Sequence, residues 1–274
     1  MMTPPVALTI AGSDSSGGAG VQADLKTFSA LGAYGMSVIV ALTAQNTTGV
    51  AGVMEVPPDF VTLQLDAVRS DVRIDAVKVG MLASACIVEA VSDGLDSLCA
   101  QHPGLPIVID PVMVATSGAR LLADDAVDAV RALLPRASLI TPNIPEAAVL
   151  LGEPPAGTEQ EMVDQATRLL DLGPARVLLK GGHGTGAESV DVLAETGSAA
   201  QLLRAPRVPT SNTHGTGCSL SSAITALRPR RADWPTAVRD AKTWLTGALE
   251  HADELDIGAG SGPVHHFYRW WNQS

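Results

Sequence analysis

The sequence predicts an α/β protein built on a doubly wound, mostly parallel sheet with helices on both faces. Three observations lead there. Short apolar runs alternate with stretches of helical spacing from end to end, and repeated strand–helix alternation implies parallel strands joined by crossover helices. The runs are mostly apolar, as in strands of a parallel sheet covered by helices. Nothing in the 274 residues reads as a linker, repeat or low-complexity block, so residues 1–274 are expected to form a single domain.

The elements follow in order. Val6–Ile10 reads as a buried strand stopped by Gly12. After a Gly/Ser loop, Val21, Leu25, Phe28 and Leu31 recur at helical spacing, and Gly32 ends the helix. Met36–Leu42 is a β-branched run, and Ala76–Val79, Pro106–Ile109, Leu139–Ile140 and Arg176–Leu179 are further short apolar strands. Helices are expected over Phe60–Val68, Ile87–Leu98, Ala126–Leu134 and Glu159–Leu172. The segment Val190–Val208 reads as short strands forming an antiparallel edge. Leu220, Ala223, Ile224 and Leu227 make one late helical face; Ala237, Val238, Ala241, Trp244, Leu245 and Leu249 make another.

Composition removes several function classes. The net charge of −11 leaves no basic footprint for nucleic acid, and 3% aromatics offer few stacking platforms. No apolar stretch reaches membrane-spanning length, and no basic region precedes the run Val6–Ala11, so neither a membrane span nor a secretory signal is expected. Cys86, Cys99 and Cys218 are odd in number and form no Cys-x-x-Cys pair, which fits a reducing cytoplasm.

Two glycine-rich loops carry the chemistry. Gly12–Gly20 links the first strand to the first helix. Gly18-Ala-Gly20-Val-Gln-Ala23 fits the dinucleotide pattern, yet no acid ends the second strand. Gly12 and Gly17 have P-loop spacing, yet Gly18 and Ala19 stand where Lys and Ser/Thr belong. Taken alone the loop reads as a permissive turn, with Asp14 and Asp24 ordinary solvated carboxylates. The second loop, His214-Gly-Thr-Gly-Cys218, directly precedes a helix. Unpaired amides and the helix dipole there favour the charge of a transferring phosphoryl group. Cys218 at that positive end is expected to have a lowered pKa and to serve as a base; a buried structural cysteine behind a tight turn is the alternative. Lys180, ending its strand, reads either as a phosphate partner or as a surface lysine. His265 and His266 read as structural, because adjacent histidines point apart and no third ligand is spaced with them.

Placement strengthens these signals. Gly12 and Asp14, Gln45 and Asn46, Gly80 and Met81, Asp110 to Val112, Asn143 and Glu146, and Lys180 all follow strands. Ligands of open parallel sheets bind outside the carboxyl ends of the strands.

The chain resembles the hydroxymethylpyrimidine and phosphomethylpyrimidine kinases of thiamine biosynthesis, within the ribokinase-like superfamily. The resemblance rests on Ala7–Gly12, Ser16–Gly35, Lys78-Val-Gly-Met81, Ser138–Asn143 with Pro145-Glu146, Lys180-Gly-Gly-His183, Asn212–Cys218 and Gly262–Phe267. It implies a ribokinase-like fold, with ATP and Mg2+ as cofactors and potassium as a further candidate. It implies an anion cradle at Gly215, Thr216 and Gly217 with Cys218 as base. Gln45 would read the pyrimidine edge, helped by Asp24, Gly12, Met81 and Val112. Lys180 and Asn143 would lie near the phosphates, Lys242 near the nucleotide, and Asp110 and Glu146 would hold magnesium. The partner it implies is a small-molecule substrate, with a homodimer as the assembly. Relatives often carry Pro where Ser15 stands, and some carry Glu at Gln45, which bears on ring preference. Pyridoxine-type alcohols are the alternative substrates, and a vitamin-precursor sensor without turnover is the alternative class.

Overall fold

The computed structural model describes residues 3–113, 126–182, 184 and 186–271; His183 of the Lys180–His183 stretch lies outside them. The chain runs β1 (Val6–Asp14), α1 (Gly20–Ala30), β2 (Tyr34–Asn46), β3 (Gly49–Glu55), α2 (Pro58–Arg69), β4 (Ala76–Val79), α3 (Ala85–Gln101) and β5 (Ile107–Ile109). It continues through α4 (Ala126–Leu133), β6 (Leu139–Ile140), α5 (Ile144–Leu151), α6 (Glu159–Leu169), β7 (Arg176–Leu179), β8 (Glu188–Glu195) and β9 (Gln201–Pro206). Helices α7 (Thr216–Leu227), α8 (Trp234–Glu250) and the short α9 (Tyr268–Trp271) close it.

One nine-stranded sheet has the order β3-β2-β1-β4-β5-β6-β7-β8-β9. Strands β2 to β7 pair in parallel, while β3 on one side and β8 and β9 on the other are antiparallel. The expected antiparallel edge within Val190–Val208 is therefore present. Its counterpart β3 was not expected. Both early strands also outrun their apolar runs: β1 includes Gly12 and Asp14, and β2 includes Gln45 and Asn46.

Strand alternation divides the core. Leu8 and Ile10, Val77 and Val79, and Ile107 and Ile109 face one way, against α2 to α6 through residues such as Leu65, Leu95 and Leu133. Val108, Leu139 and Leu178 face the other way, against α7 and α8 through Ile224, Val238 and Trp244. Each such buried side chain stabilises the fold by about 1.5–3 kcal/mol. Thr9 and Lys78 pair in register and sit in this second row, beside Val108. A lysine there demands a partner, since an isolated buried charge is very costly. Asp24 of α1 supplies it, at 2.8 Å, with both side chains fully buried.

Candidate active site

The chain leaves β1 for β2 on one side and later returns to β4 on the other. Such a reversal opens a crevice beyond the carboxyl ends of the strands, and a cavity of about 630 Å³ lies there. Gly12 of β1 and Met81 after β4 meet in it: a Cβ at Gly12 would lie 2.6 Å from Met81 Cε. Gln45 and Val112 also line the cavity. With Gly12 and Met81 they bring together one amide and apolar surface, the combination a flat heteroaromatic ring needs.

Gly215, Thr216 and Gly217 line the same cavity, at the start of α7. Gly215 is the residue before α7, in the left-handed region at φ 76°. A Cβ there would lie 1.8 Å from the Gly18 carbonyl oxygen, so the two glycine-rich loops touch backbone to backbone. The Thr216 amide bonds Thr213 O at 3.2 Å. Those of Gly217 and Cys218 belong to a helix start, where no intrahelical acceptor exists. A Cβ at Gly217 would lie 3.2 Å from Lys180 Nζ and 3.6 Å from Asp110 Oδ2. Lys180 thus lies beside the cradle, mostly buried and paired with Asp110 at 2.8 Å.

Cys218 lines the cavity, but its expected acidity is corrected. Burial pushes the thiol up to about 11; Lys78 opposes this, while Asp24 and Asp110 add to it. Loss of hydration outweighs the pull of Lys78. Asp24 is corrected as well. It does not line the cavity and is not solvated. Its carboxylate accepts from Lys78, from Thr9 Oγ1 at 2.6 Å and from Ser222 Oγ at 2.7 Å. Ser222 lies one helical turn below Cys218. Asp24 therefore lies behind the cavity wall, bonded to Lys78 and Ser222.

Asp110 is buried and accepts from Lys180 and from Thr141 Oγ1 at 2.9 Å. Burial raises its carboxyl, but Lys180 and Lys78 together hold it below the usual range. Glu146 forms a reciprocal capping box with Asn143, both bonds 2.8 Å, at the start of α5. Burial pushes Glu146 up to about 7; Lys180 opposes the shift and Asp110 adds to it. Among the described residues no group of three or more His, Cys, Asp or Glu side chains could hold a metal. Asp110 and Glu146 both line the cavity, and two carboxylates completed by phosphate oxygens suit magnesium. Lys242 lines the cavity too, and its Nζ sits 2.5 Å from Asp191 Oδ2. Asp191 Oδ1 accepts the Gly181 amide at 2.9 Å.

Sequence reasoning missed three contributors. Asp14, read as solvated, is buried. Its oxygens accept from Ser16, Gly18 N, Ala19 N and His214 Nε2. Burial alone would raise this carboxyl, but the bonds from His214 and Ser16 hold it down at about 2. Ser15 Oγ donates to Gln45 O at 2.7 Å and accepts Gln45 N at 2.9 Å, a clamp that Pro in its place lacks. Lys78 lines the cavity; a charge inside an apolar strand was the available signal. His266, read as structural, is buried against Ser219 Oγ at 3.0 Å.

A mostly parallel sheet with helices on both faces, a cavity at its switch point and a helix-terminal cradle define a ribokinase-like kinase of small molecules. Solved structures agree. The ADP complex of Bacillus subtilis pyridoxal kinase matches with TM-score 0.86 at 34% identity, over 96% of this chain and 98% of that one. The phosphomethylpyrimidine kinase of Clostridium difficile matches with TM-score 0.77 at 41% identity, over 89% and 99%. The family model described as phosphomethylpyrimidine kinase matches residues 14–265. Hydroxymethylpyrimidine/phosphomethylpyrimidine kinases of Salmonella typhimurium and Escherichia coli are each 58% identical over 266 residues, 97% of this chain and 98% of theirs. The chain belongs to the phosphomethylpyrimidine kinase family, as a small-molecule kinase of thiamine biosynthesis.

Proposed function

We propose that the protein transfers the γ-phosphoryl group of ATP to the hydroxymethyl oxygen of 4-amino-5-hydroxymethyl-2-methylpyrimidine, and then to the resulting monophosphate. One observation carries this reading: ring slot, glycine cradle and Lys180 line a single cavity. The amides of Gly217 and Cys218 and the ammonium of Lys180 meet the charge that spreads over the transferring group. Asn143 is suited to the phosphates and Lys242 to the nucleotide. Asp110 and Glu146 would hold Mg2+, which supplies charge neutralisation at the phosphates. Lys180, paired with Asp110 in this structure, is the ammonium that would face the γ-phosphoryl oxygens.

Cys218 takes the role of hydrogen-bonding partner to the attacking hydroxyl. A thiol raised to about 11 is protonated near neutral pH, so no preformed thiolate base is at hand. Transfer through a loose transition state needs little early proton removal. As the new O–P bond forms and the bond to the leaving ADP breaks, the hydroxyl proton departs late, to a phosphoryl oxygen or solvent. Orientation by Cys218 is what that step requires.

A homodimer is supported by the exposed apolar side chains Leu42, Val53, Met54, Phe60 and Leu63 on β2, β3 and α2. A cytoplasmic setting is supported by the three free cysteines. Among the described residues no helix is long and apolar enough to cross a membrane.

The test is product analysis by mass, with ATP, with and without potassium, and a panel of hydroxymethyl heterocycles. The reading expects mono- and then diphosphorylated aminopyrimidine. Pyridoxine-type alcohols belong in the panel because pyridoxal kinases share this fold at TM-scores near this level. A larger specificity constant for pyridoxine than for the aminopyrimidine would overturn the substrate assignment.

A further inference from the structure

The ring end of the cavity holds a hydrogen-bond network that fixes more than the position of Gln45. Asp14 accepts from five donors: the amides of Ser16, Gly18 and Ala19, the Ser16 hydroxyl and His214 Nε2. A carboxylate so surrounded acts only as an acceptor. His214 Nε2, 2.8 Å from Asp14 Oδ2, must therefore carry a proton. This nitrogen also lies 3.4 Å from the Gln45 carboxamide nitrogen. On the other side, Gln45 Oε1 lies 3.1 Å from Thr43 Oγ1, whose hydroxyl also lies 2.9 Å from the Ser13 carbonyl. In that arrangement two N–H groups face each other across Gln45 and His214. One Thr43 hydrogen must also serve both Oε1 and the Ser13 carbonyl. Turning the carboxamide by 180° relieves the opposed N–H groups and frees the Thr43 hydrogen: the Gln45 amino group donates to Thr43, Thr43 donates to Ser13, and Oε1 becomes a second, longer acceptor of the His214 N–H, whose 2.8 Å bond stays with Asp14. The two orientations differ only in exchanging O and N, which the surrounding bonds must decide.

We infer that Asp14 and His214 are positioning residues that lock the Gln45 carboxamide with its oxygen on the His214 side, and that this orientation sets ring specificity. The inference rests on Gln45 reading the ring, as in the proposed function. A locked amide offers an acceptor and a donor in one fixed order. It suits a heteroaromatic ring carrying an exocyclic amino donor toward His214 and a ring-nitrogen acceptor toward Thr43. The 4-oxo analogue of the pyrimidine presents the reverse order, a carbonyl acceptor beside a ring N–H. A free amide would flip to accept either ring; a locked one rejects the analogue. The placement of the parts supports the lock. Ser15 clamps the Gln45 backbone on both sides. His214 is wedged against Gly18, where a Cβ would lie 2.3 Å from its Cδ2, and its amide is held by Gly262 O at 3.0 Å.

The experiment compares kcat/KM for the 4-amino and 4-oxo alcohols in the wild type, Asp14→Asn, His214→Ala, Gln45→Glu and Asp14→Asn/Gln45→Glu. The wild type is expected to prefer the amino ring by about 100-fold or more, since a mismatched site leaves buried polar groups unpaired. Asp14→Asn and His214→Ala should each shrink that ratio by at least about 10-fold, whatever they do to overall rate. In the Gln45→Glu background, where the side chain has no N/O order to lock, Asp14→Asn should leave the ratio unchanged. Equal losses for both rings, with the ratio intact, would show Asp14 and His214 to be merely structural and overturn the inference. If the variants unfold, 15N NMR of the wild-type imidazole decides: a bare Nε2 on His214 defeats the lock. Failure of the wild type to phosphorylate either pyrimidine defeats the substrate reading instead.

Discussion

Replacing Gly215 by Ala tests the cradle most severely. The residue sits at φ 76°, where a non-glycine residue costs roughly 1–2 kcal/mol. The larger effect is steric. The added Cβ would lie 1.8 Å from the Gly18 carbonyl oxygen, whereas a relaxed carbon–oxygen contact needs about 3.3 Å. The loops must separate by about 1.5 Å, and the obstacle is backbone, with no flexible side chain to yield. That motion swings the Gly217 and Cys218 amides away from the phosphoryl group. A misplacement of about 1 Å costs on the order of 100-fold in rate. Coupled ADP-release assays should therefore show kcat down at least about 100-fold. Gly52→Ala in β3 is the control, since a Cβ there meets no heavy atom within 4 Å, and it should match the wild type. If Gly215→Ala, shown folded by circular dichroism, kept kcat within about threefold, the cradle would not lie at this backbone.

Three further outcomes follow from the same geometry. Cys218→Ala should lower kcat by about 10–100-fold with Cys218→Ser partly restoring it, as for loss of an orienting bond; a drop beyond about 10⁴-fold in steady-state rates would point to a true base. Lys78→Met strands the buried Asp24 carboxylate and should cost about 3–5 kcal/mol in urea unfolding, while Lys78→Met/Asp24→Asn should recover much of that; a double variant no better than the single refutes the pairing argument. Burial, with help from Lys26 and His265, pushes His266 down to about 3. Its folded pKa lies below its unfolded value, so the unfolded state gains the proton first, and stability is lost as pH falls from about 6.5 toward 3. His266→Asn should flatten that part of the pH–stability curve, and an unchanged slope would show that another group dominates acid unfolding.

Much of the scaffold was legible because both faces of the central sheet are covered. Ala76–Val79, Leu139–Ile140 and Arg176–Leu179 stand where the sequence put them, each a short, mostly apolar and buried run. Strand β3 was hidden because Val53, Met54 and their neighbours on this edge are exposed and follow no two-residue alternation. Helix α5 is not among the expected elements although Asn143, Pro145 and Glu146 spell a helix start; the resemblance draws Asn143 to the phosphates and Glu146 to magnesium instead. The cavity-lining residues were found largely through their shared position at strand ends. Two misreadings came from treating a residue apart from its burial. The helix terminus suggested an acidic Cys218, and desolvation reverses the sign. Asp14 looked solvated because its main partner, His214, is 200 residues away, a distance no local pattern spans.

The backbone contact between Gly18 and Gly215 also bears on how this chain can change by descent. Neither position accepts a side chain while the other loop keeps its path, so the two loops form one inherited unit although most of the chain separates them. Recombining relatives with a single crossover anywhere between them would join loops shaped for different partners. Chimeras that exchange both loops together should retain the active geometry far more often than those that exchange one.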